Sequence, residues 1–351
     1  MAVDFHMLMW VAFGVIIAVV LALDLFVLHR DPHVVSLRES TIWSGIWIAI
    51  ALSYGAALWP LGEHGFGPVR AQQYLAAYVI ELALSVDNLF VFAVIFSALK
   101  IKREYQHKLL FWGVFGALAL RAVFIFAGVS LIEHFHWLMY FFGGLLIFTG
   151  IKLLVTSDKE IDPEKSRIIR AVKRILPVKP EIGGPSFFVR IDGKLYASML
   201  FIALVLVEIT DVIFAVDSIP AVLGVAVDAD SGKADTLVVY GSNAFAIMGL
   251  RSLYFALAGI IALFRFLKYG LAVILCFVGV KMVGGLGIPA FELGPLDVPQ
   301  LMPSFKLPIA ASLGVIAAVL GVAIGLSLLL PRKHPVKEDP KLLSEPVEAH
   351  D

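Results

Sequence analysis

The sequence predicts an all-α polytopic membrane protein with about nine transmembrane helices, six of which form an inverted repeat of three helices each. Hydrophobic residues make up 60 % of the 351 positions and charged residues 16 %, where soluble proteins run at about 45–50 % and about 25 %. The apolar residues gather in nine runs, each near the roughly 20 residues needed to cross about 30 Å of hydrocarbon. A pattern of acids and bases inside those runs recurs 130 residues further on.

The same composition excludes several classes. Lys plus Arg (28) equals Asp plus Glu (28), so no basic excess exists to hold nucleic acid by counterion release. The single cysteine, Cys276, lies in an apolar run and rules out a disulfide framework, a CxxC redox pair and thiolate metal clusters; core packing is its expected role. No segment reads GxxxxGK[ST], so no Walker A loop is expected. The first apolar run lacks a positive n-region and a small-residue cleavage site, and reads as a retained helix. No enzyme activity and no organic cofactor are expected.

In order, the runs are centred on residues 8–28, 42–60, 72–99, 109–132, 137–155, 197–227, 236–264, 269–289 and 307–330. They divide the chain into two N-terminal helices (1–70), a first three-helix unit (71–155), a basic loop (156–196), a second three-helix unit (197–290), a last helix (291–330) and a polar, proline-containing tail (331–351) that reads as disordered. Placing 29–41, 100–108, 156–196, 265–268 and 331–351 in the cytoplasm puts 21 of the 28 Lys and Arg there. Only Arg70, Lys233 and Lys306 fall on the other face, and Lys152, Arg121, Arg251 and Lys281 lie inside runs. The positive-inside rule then sets the N-terminus outside and the C-terminus inside.

Within the basic loop, Asp162-Pro163-Glu164 is a helix start. Ile168, Ile169, Val172 and Ile175 among Arg167, Arg170, Lys173 and Arg174 suggest a short amphipathic helix on the inner leaflet. Asp192-Gly193, between alternating residues of 187–196, signals a hairpin. Interfacial packing is the plain reading of both, and protein partners on this loop are the other.

A shift of 130 residues superposes Val86-Asp87-Asn88 on Val216-Asp217-Ser218, Glu81 on Asp211 and Leu120-Arg121 on Leu250-Arg251. With one residue of slippage, Gly150-Ile151-Lys152 falls on Gly279-Val280-Lys281. Each unit holds three spans, an odd number, so the second enters the bilayer from the opposite face. Inverted repeats place their site near the midplane, where the two halves meet.

The first helix of each unit carries the acids. At 100° per residue, Glu81, Ser85 and Asn88 share a face, while Asp87 lies about 120° from Glu81. In the second unit Glu208, Asp211, Ala215 and Ser218 form the stripe, with Asp217 again off it. Pro220 removes a backbone donor and clashes with the carbonyl of Val216. A kink there would turn Asp217 inward, and symmetry suggests a break near Asp87.

Intramembrane carboxylates usually face a cavity or pair with a base. Glu81, Asp87, Glu208, Asp211 and Asp217 outnumber Arg121 and Arg251, leaving a formal charge near minus three that a bound dication would largely remove. Carboxylate, amide and hydroxyl donors suit Mn²⁺, Mg²⁺ or Ca²⁺ rather than Zn²⁺ or Cu. The competing reading is a set of buried salt bridges to Arg121, Arg251, Lys152 and Lys281 that ties the bundle together. Asp24 either lines an exit path or pairs with His29 and Arg30. His134 and His136, beside Glu133, read as interfacial.

Glu81-Leu-Ala-Leu-Ser-Val-Asp87-Asn88, Glu208-Ile-Thr-Asp-Val-Ile-Phe-Ala-Val-Asp-Ser-Ile-Pro220 and Gly241-Ser-Asn-Ala-Phe-Ala-Ile-Met-Gly-Leu-Arg-Ser-Leu-Tyr254 closely resemble the TerC family of integral membrane proteins. Leu23-Asp24 with His29-Arg30, and the stretch from Phe187 to Tyr196, extend the resemblance to about residue 290. It implies membership of the superfamily that includes the lysine exporters, a bacterial inner (cell) membrane as host, and manganese efflux or homeostasis as function. Some relatives are linked to tellurite resistance and to supplying metal to exported proteins. Carried over by motif, the implied ligands are Glu81, Asp87, Asn88, Asp211, Asp217 and Ser218, with Glu208 a weaker candidate because its repeat partner is Tyr78. Tellurite is an oxyanion and the site is anionic, so direct tellurite transport is disfavoured.

The expected function is a secondary transporter that exports Mn²⁺, with Ca²⁺ or Mg²⁺ as other hard ions and protons as a coupling ion. The alternative is a membrane organiser or metal-donating subunit without transport of its own.

Overall fold

A computed structural model describes residues 5–23, 36–64, 67–135, 137–155, 186–191, 194–227, 234–257, 266–286, 291–293, 296–298 and 307–330. Among them are nine α-helices: α1 (Phe5–Leu23), α2 (Leu37–Ala57), α3 (Pro68–Ala98), α4 (Arg103–His134), α5 (Leu138–Val155), α6 (Met199–Ala226), α7 (Thr236–Leu257), α8 (Leu267–Leu286) and α9 (Ile309–Leu329). Each lies on one of the nine apolar runs. Seven are long and apolar enough to cross a membrane, while α1 contributes the shorter apolar stretch Phe5–Val20. The remaining helix, α7, carries Ser242, Asn243 and Arg251, and is buried along most of its length. Packed against α2, α3 and α4, it is shielded from lipid, and polar groups inside a bundle cost less than polar groups facing hydrocarbon.

Local chemistry sets the helix starts. Ser36 accepts from Glu39 N–H at 3.2 Å and Ser198 from Phe201 N–H at 3.3 Å, N-caps that occupy donors no helix can satisfy. Asp235 Oδ1 does the same for Leu237 and Val238 at the head of α7. Pro68 opens α3 after Gly67, whose φ of 94° favours glycine.

The hairpin expected around Asp192-Gly193 is present as β1 (Phe188–Ile191) paired antiparallel with β2 (Lys194–Ala197); its two turn residues lie outside the described residues. The expected amphipathic helix of the basic loop also lies outside them, as do Asp24, His136 and the tail. A second hairpin, β3 (Phe291–Leu293) with β4 (Leu296–Val298), precedes α9, where the sequence reading had only the last span and its approach.

One departure concerns α6. Helix α6 is continuous from Met199 to Ala226 with Pro220 inside it, and α3 likewise runs helical through Asp87, so neither acid stands at an interruption of its helix. Loss of one backbone donor does not end a helix whose flanking turns are buried from Ile219 to Ala226, because tertiary packing outweighs the local penalty.

Two seams organise the core. An aromatic one joins α1, α2, α3 and α7 through Phe13, Tyr54, Tyr74 and Phe245, with the Tyr74 hydroxyl donating to Ala51 O at 3.0 Å. The other is made of small residues between α5 and α8. A Cβ on Gly150 would lie 2.6 Å from Cys276 Sγ and 2.7 Å from Ala272 O, and one on Gly279 would lie 2.6 Å from Gly143 O. In lipid, helices associate largely through this kind of close backbone approach.

Candidate cation site

The middle of the bundle is where α3, α4 and α6 meet. Arg121 of α4 is 1 % exposed and donates to acids of both neighbouring helices. Its Nη1 pairs with Glu81 Oε1 of α3. Its Nε and Nη2 reach Asp211 Oδ2 and Oδ1 of α6 at 3.2 and 3.0 Å, and Nη1 lies 3.3 Å from Ser218 Oγ. Glu81, Asp211 and Ser218 are each buried to within 3 % of full enclosure. An ion pair this deep is held by the geometry of its hydrogen bonds, since desolvation otherwise cancels the attraction; Glu81 Oε2 is left without a partner.

Helices α4 and α6 run parallel past this centre. Gly113 lies against Val207, Gly116 against Glu208, and Gly128 against Ile219 and Leu223. At Gly116 the absent side chain makes room for the Glu208 carboxylate: a Cβ there would collide with it. Glu208 sits one turn before Asp211, and its Oε2 is buried with no hydrogen-bond partner. With Glu81, Asp211 and Glu208 ionised, Arg121 leaves this core with a formal surplus of two negative charges.

The other residues singled out in the sequence fall elsewhere. Asp217 lies off the Glu208–Asp211–Ser218 stripe and accepts from Thr149 Oγ1 of α5 at 3.0 Å, with Lys152 as a nearby positive charge. Asn88 is buried on α3. Asp87 belongs to the helical part of α3, and its side chain is outside the described residues. Arg251 is buried in α7, and Lys281 is half-buried in α8. Thr210 Oγ1 is taken by Val207 O of its own helix at 2.8 Å. Cys276 is a half-buried thiol in the α5–α8 seam, 3.8 Å from Ile147 O. His134 is exposed, with Nδ1 2.8 Å from Ser130 O. Among the described residues no three His, Cys, Asp or Glu side chains stand together as a ready-made metal cluster; Arg121 takes the space between Glu81 and Asp211. A cavity of about 590 Å³ between Trp10, Arg70, Phe126 and Asp235 is separate from these acids.

Three contributors carried no assigned role in the sequence reading: Gly116, Thr149 and Asn243. Gly113 and Gly116, small residues three apart on a membrane helix, were a legible sign of close approach. An asparagine within an apolar run was a legible sign of a polar site. Thr149 had no such signal.

The fold and the buried charges define a polytopic α-helical membrane protein with ionisable groups at its centre. Residues 66–334 match the family described as "Integral membrane protein TerC family", and the chain belongs to that family. It is 44 % identical over 330 residues to an uncharacterized membrane protein, STKORF319, of Myxococcus xanthus, covering 94 % of this chain and 95 % of that one. It is 36 % identical over 332 residues to Alx of Escherichia coli K12, named as a proposed membrane-bound redox modulator, covering 93 % and 96 %. An uncharacterized membrane protein of Rickettsia bellii is 39 % identical over 284 residues, covering 80 % and 90 %. No solved structure matches the chain.

Proposed function

We propose that the protein is a secondary transporter that moves a divalent cation, Mn²⁺ first among the hard ions, out of the cytoplasm through the centre of the bundle. The observation that carries this is the meeting of Glu81 from α3 and Asp211 from α6 on one buried arginine, with the Glu208 carboxylate, its buried Oε2 unpartnered, one turn away. A structural salt bridge needs one acid per base; this core has a surplus of acid that a dication would neutralise. Oxygen donors of this kind favour Mn²⁺, Mg²⁺ or Ca²⁺. Arg121 acts as the resident counterion when cargo is absent. Protons are the natural coupling ion, because carboxylates that lose a cation in a low-dielectric interior take up protons instead.

Alternating access follows from the inverted repeat, and the α5–α8 seam supports that reading. Gly150 lies against Ala272 and Cys276, and Gly279 against Gly143 and Ile147. A shift of 129 residues, the repeat offset with its slippage, exchanges the two sets: Gly150 with Gly279, Gly143 with Ala272, Ile147 with Cys276. Glu81 and Asp211 are likewise repeat partners. The proposed membrane is the bacterial inner membrane, with the N-terminus outside and the C-terminus in the cytoplasm. The redox wording attached to Alx finds no dithiol here, since this chain has one cysteine.

Purified protein in vesicles loaded with a Mn²⁺-sensitive dye tests the proposal. Saturable Mn²⁺ flux that Mg²⁺ or Ca²⁺ inhibits at higher concentration is expected. Absence of flux for every hard dication would overturn it and favour a metal-donating or membrane-organising subunit.

A further inference from the structure

Asn243 is 0 % exposed, and neither its amide oxygen nor its amide nitrogen has a hydrogen-bond partner. Buried amides nearly always pair, because an unpaired one loses its hydration and gains nothing in exchange. Ser85, one turn beyond Glu81 on α3, repeats the pattern: 1 % exposed, with its Oγ unpartnered. Among the described residues, every buried side-chain oxygen lacking a partner belongs to Glu81, Ser85, Glu208 or Asn243. Those oxygens come from the helices that surround Arg121.

The register of α7 supports the placement. Tyr240 sends its hydroxyl to Leu118 O of α4 at 3.3 Å, and Asn243, three residues on, shares that side of the helix. Helix α7 therefore turns Asn243 toward α4, which holds Arg121.

We infer that Asn243 and Ser85 are uncharged oxygen ligands of the transported dication, completing with Glu81 and Glu208 a binding position beside the Arg121 centre. The inference rests on the transport reading above and adds α7 to the helices that touch the cargo. Charge explains why the added donors are neutral. The core surplus already matches one dication, so further ligands must supply coordination without adding charge. Hard dications prefer several oxygens at once, and an amide oxygen and a hydroxyl meet that need.

The test uses the purified full chain in detergent, with Mn²⁺ binding measured calorimetrically and thermal unfolding followed with and without MnCl₂. Asn243→Leu removes an unpaired amide, so its metal-free melting temperature is expected to equal or exceed that of the parent, while Mn²⁺ binding weakens at least tenfold. Ser85→Ala is expected to weaken binding about threefold or more. Asn243→Ala serves the same purpose should the leucine prove too bulky to fold. If both Asn243 variants bind Mn²⁺ within twofold of the parent while Glu208→Gln loses binding, the amide holds only water; the inference fails and the transport reading stands. If the parent binds no Mn²⁺ and passes none, both fall together.

Discussion

Arg121 and Asp211 meet as a two-pronged pair across α4 and α6, with Nε 3.2 Å from Oδ2 and Nη2 3.0 Å from Oδ1. Side-on pairing uses the planar fork that distinguishes arginine from lysine, and it leaves Nη1 to serve Glu81 and Ser218. One guanidinium thereby joins three helices, α3, α4 and α6. The carboxylates it holds have no other hydrogen-bond partner recorded among the described residues, so removal of the arginine and removal of the cargo have different consequences.

Arg121→Met strands two carboxylates in the core. The expected loss is about 3–5 kcal/mol, the range for breaking a buried pair from one side, seen as a lower yield of folded protein and a lower melting temperature in detergent. Arg121→Lys keeps the charge but cannot make the two-pronged contact, so an intermediate melting temperature is expected.

Asp217→Asn has the opposite profile. Asp217 lies outside the Arg121 cluster and meets only a neutral hydroxyl, that of Thr149, among its described hydrogen bonds; an asparagine oxygen can accept the same bond. Stability should change by less than about 1 kcal/mol. Vesicle flux of Mn²⁺ should nevertheless vanish if Asp217 handles the ion, and full flux in this variant would remove Asp217 from the ligand set.

Gly116→Ala tests whether Glu208 must sit where it does. The added methyl meets the far end of the Glu208 side chain, which can swing aside, so a fold penalty at or below the usual overpacking cost of about 1–3 kcal/mol is expected. Mn²⁺ binding should weaken along with flux. Binding equal to the parent would show that Glu208 is tolerant of displacement.

Gly279→Ala probes the α5–α8 seam, since its Cβ would meet the Gly143 carbonyl, a backbone atom that cannot move away alone. Destabilisation of about 1–3 kcal/mol is expected by thermal unfolding. Gly144→Ala, on the same α5 but with nothing within 4 Å of its Cβ, should be neutral or stabilising by up to about 1 kcal/mol, because alanine is the better helix former.

The helices were legible in the sequence because the length and apolarity of a spanning segment are written directly in composition. Hairpin β1–β2 was legible because Asp-Gly is specific turn chemistry. Which base meets which acid was not legible. The repeat frame aligned Arg121 with Arg251 and Glu81 with Asp211, but pairing across helices depends on how the helices cross, and Arg121 takes both acids. Pro220 shows a related limit: the local rule marks a possible kink, while the packing of Ile219 to Ala226 keeps the helix continuous through it. Short β3 and β4 lacked the alternation over four or more residues that marks a strand.

The α5–α8 seam bears on how such a bundle can move. With Gly143, Gly150 and Gly279 leaving no gap between the two backbones, α5 and α8 cannot shear or splay without forfeiting contact along their whole shared length. They pack as a single strut. On the proposed transport cycle, opening toward one side of the bilayer would then fall to α3, α4, α6 and α7, the helices around Glu81, Arg121, Glu208 and Asp211.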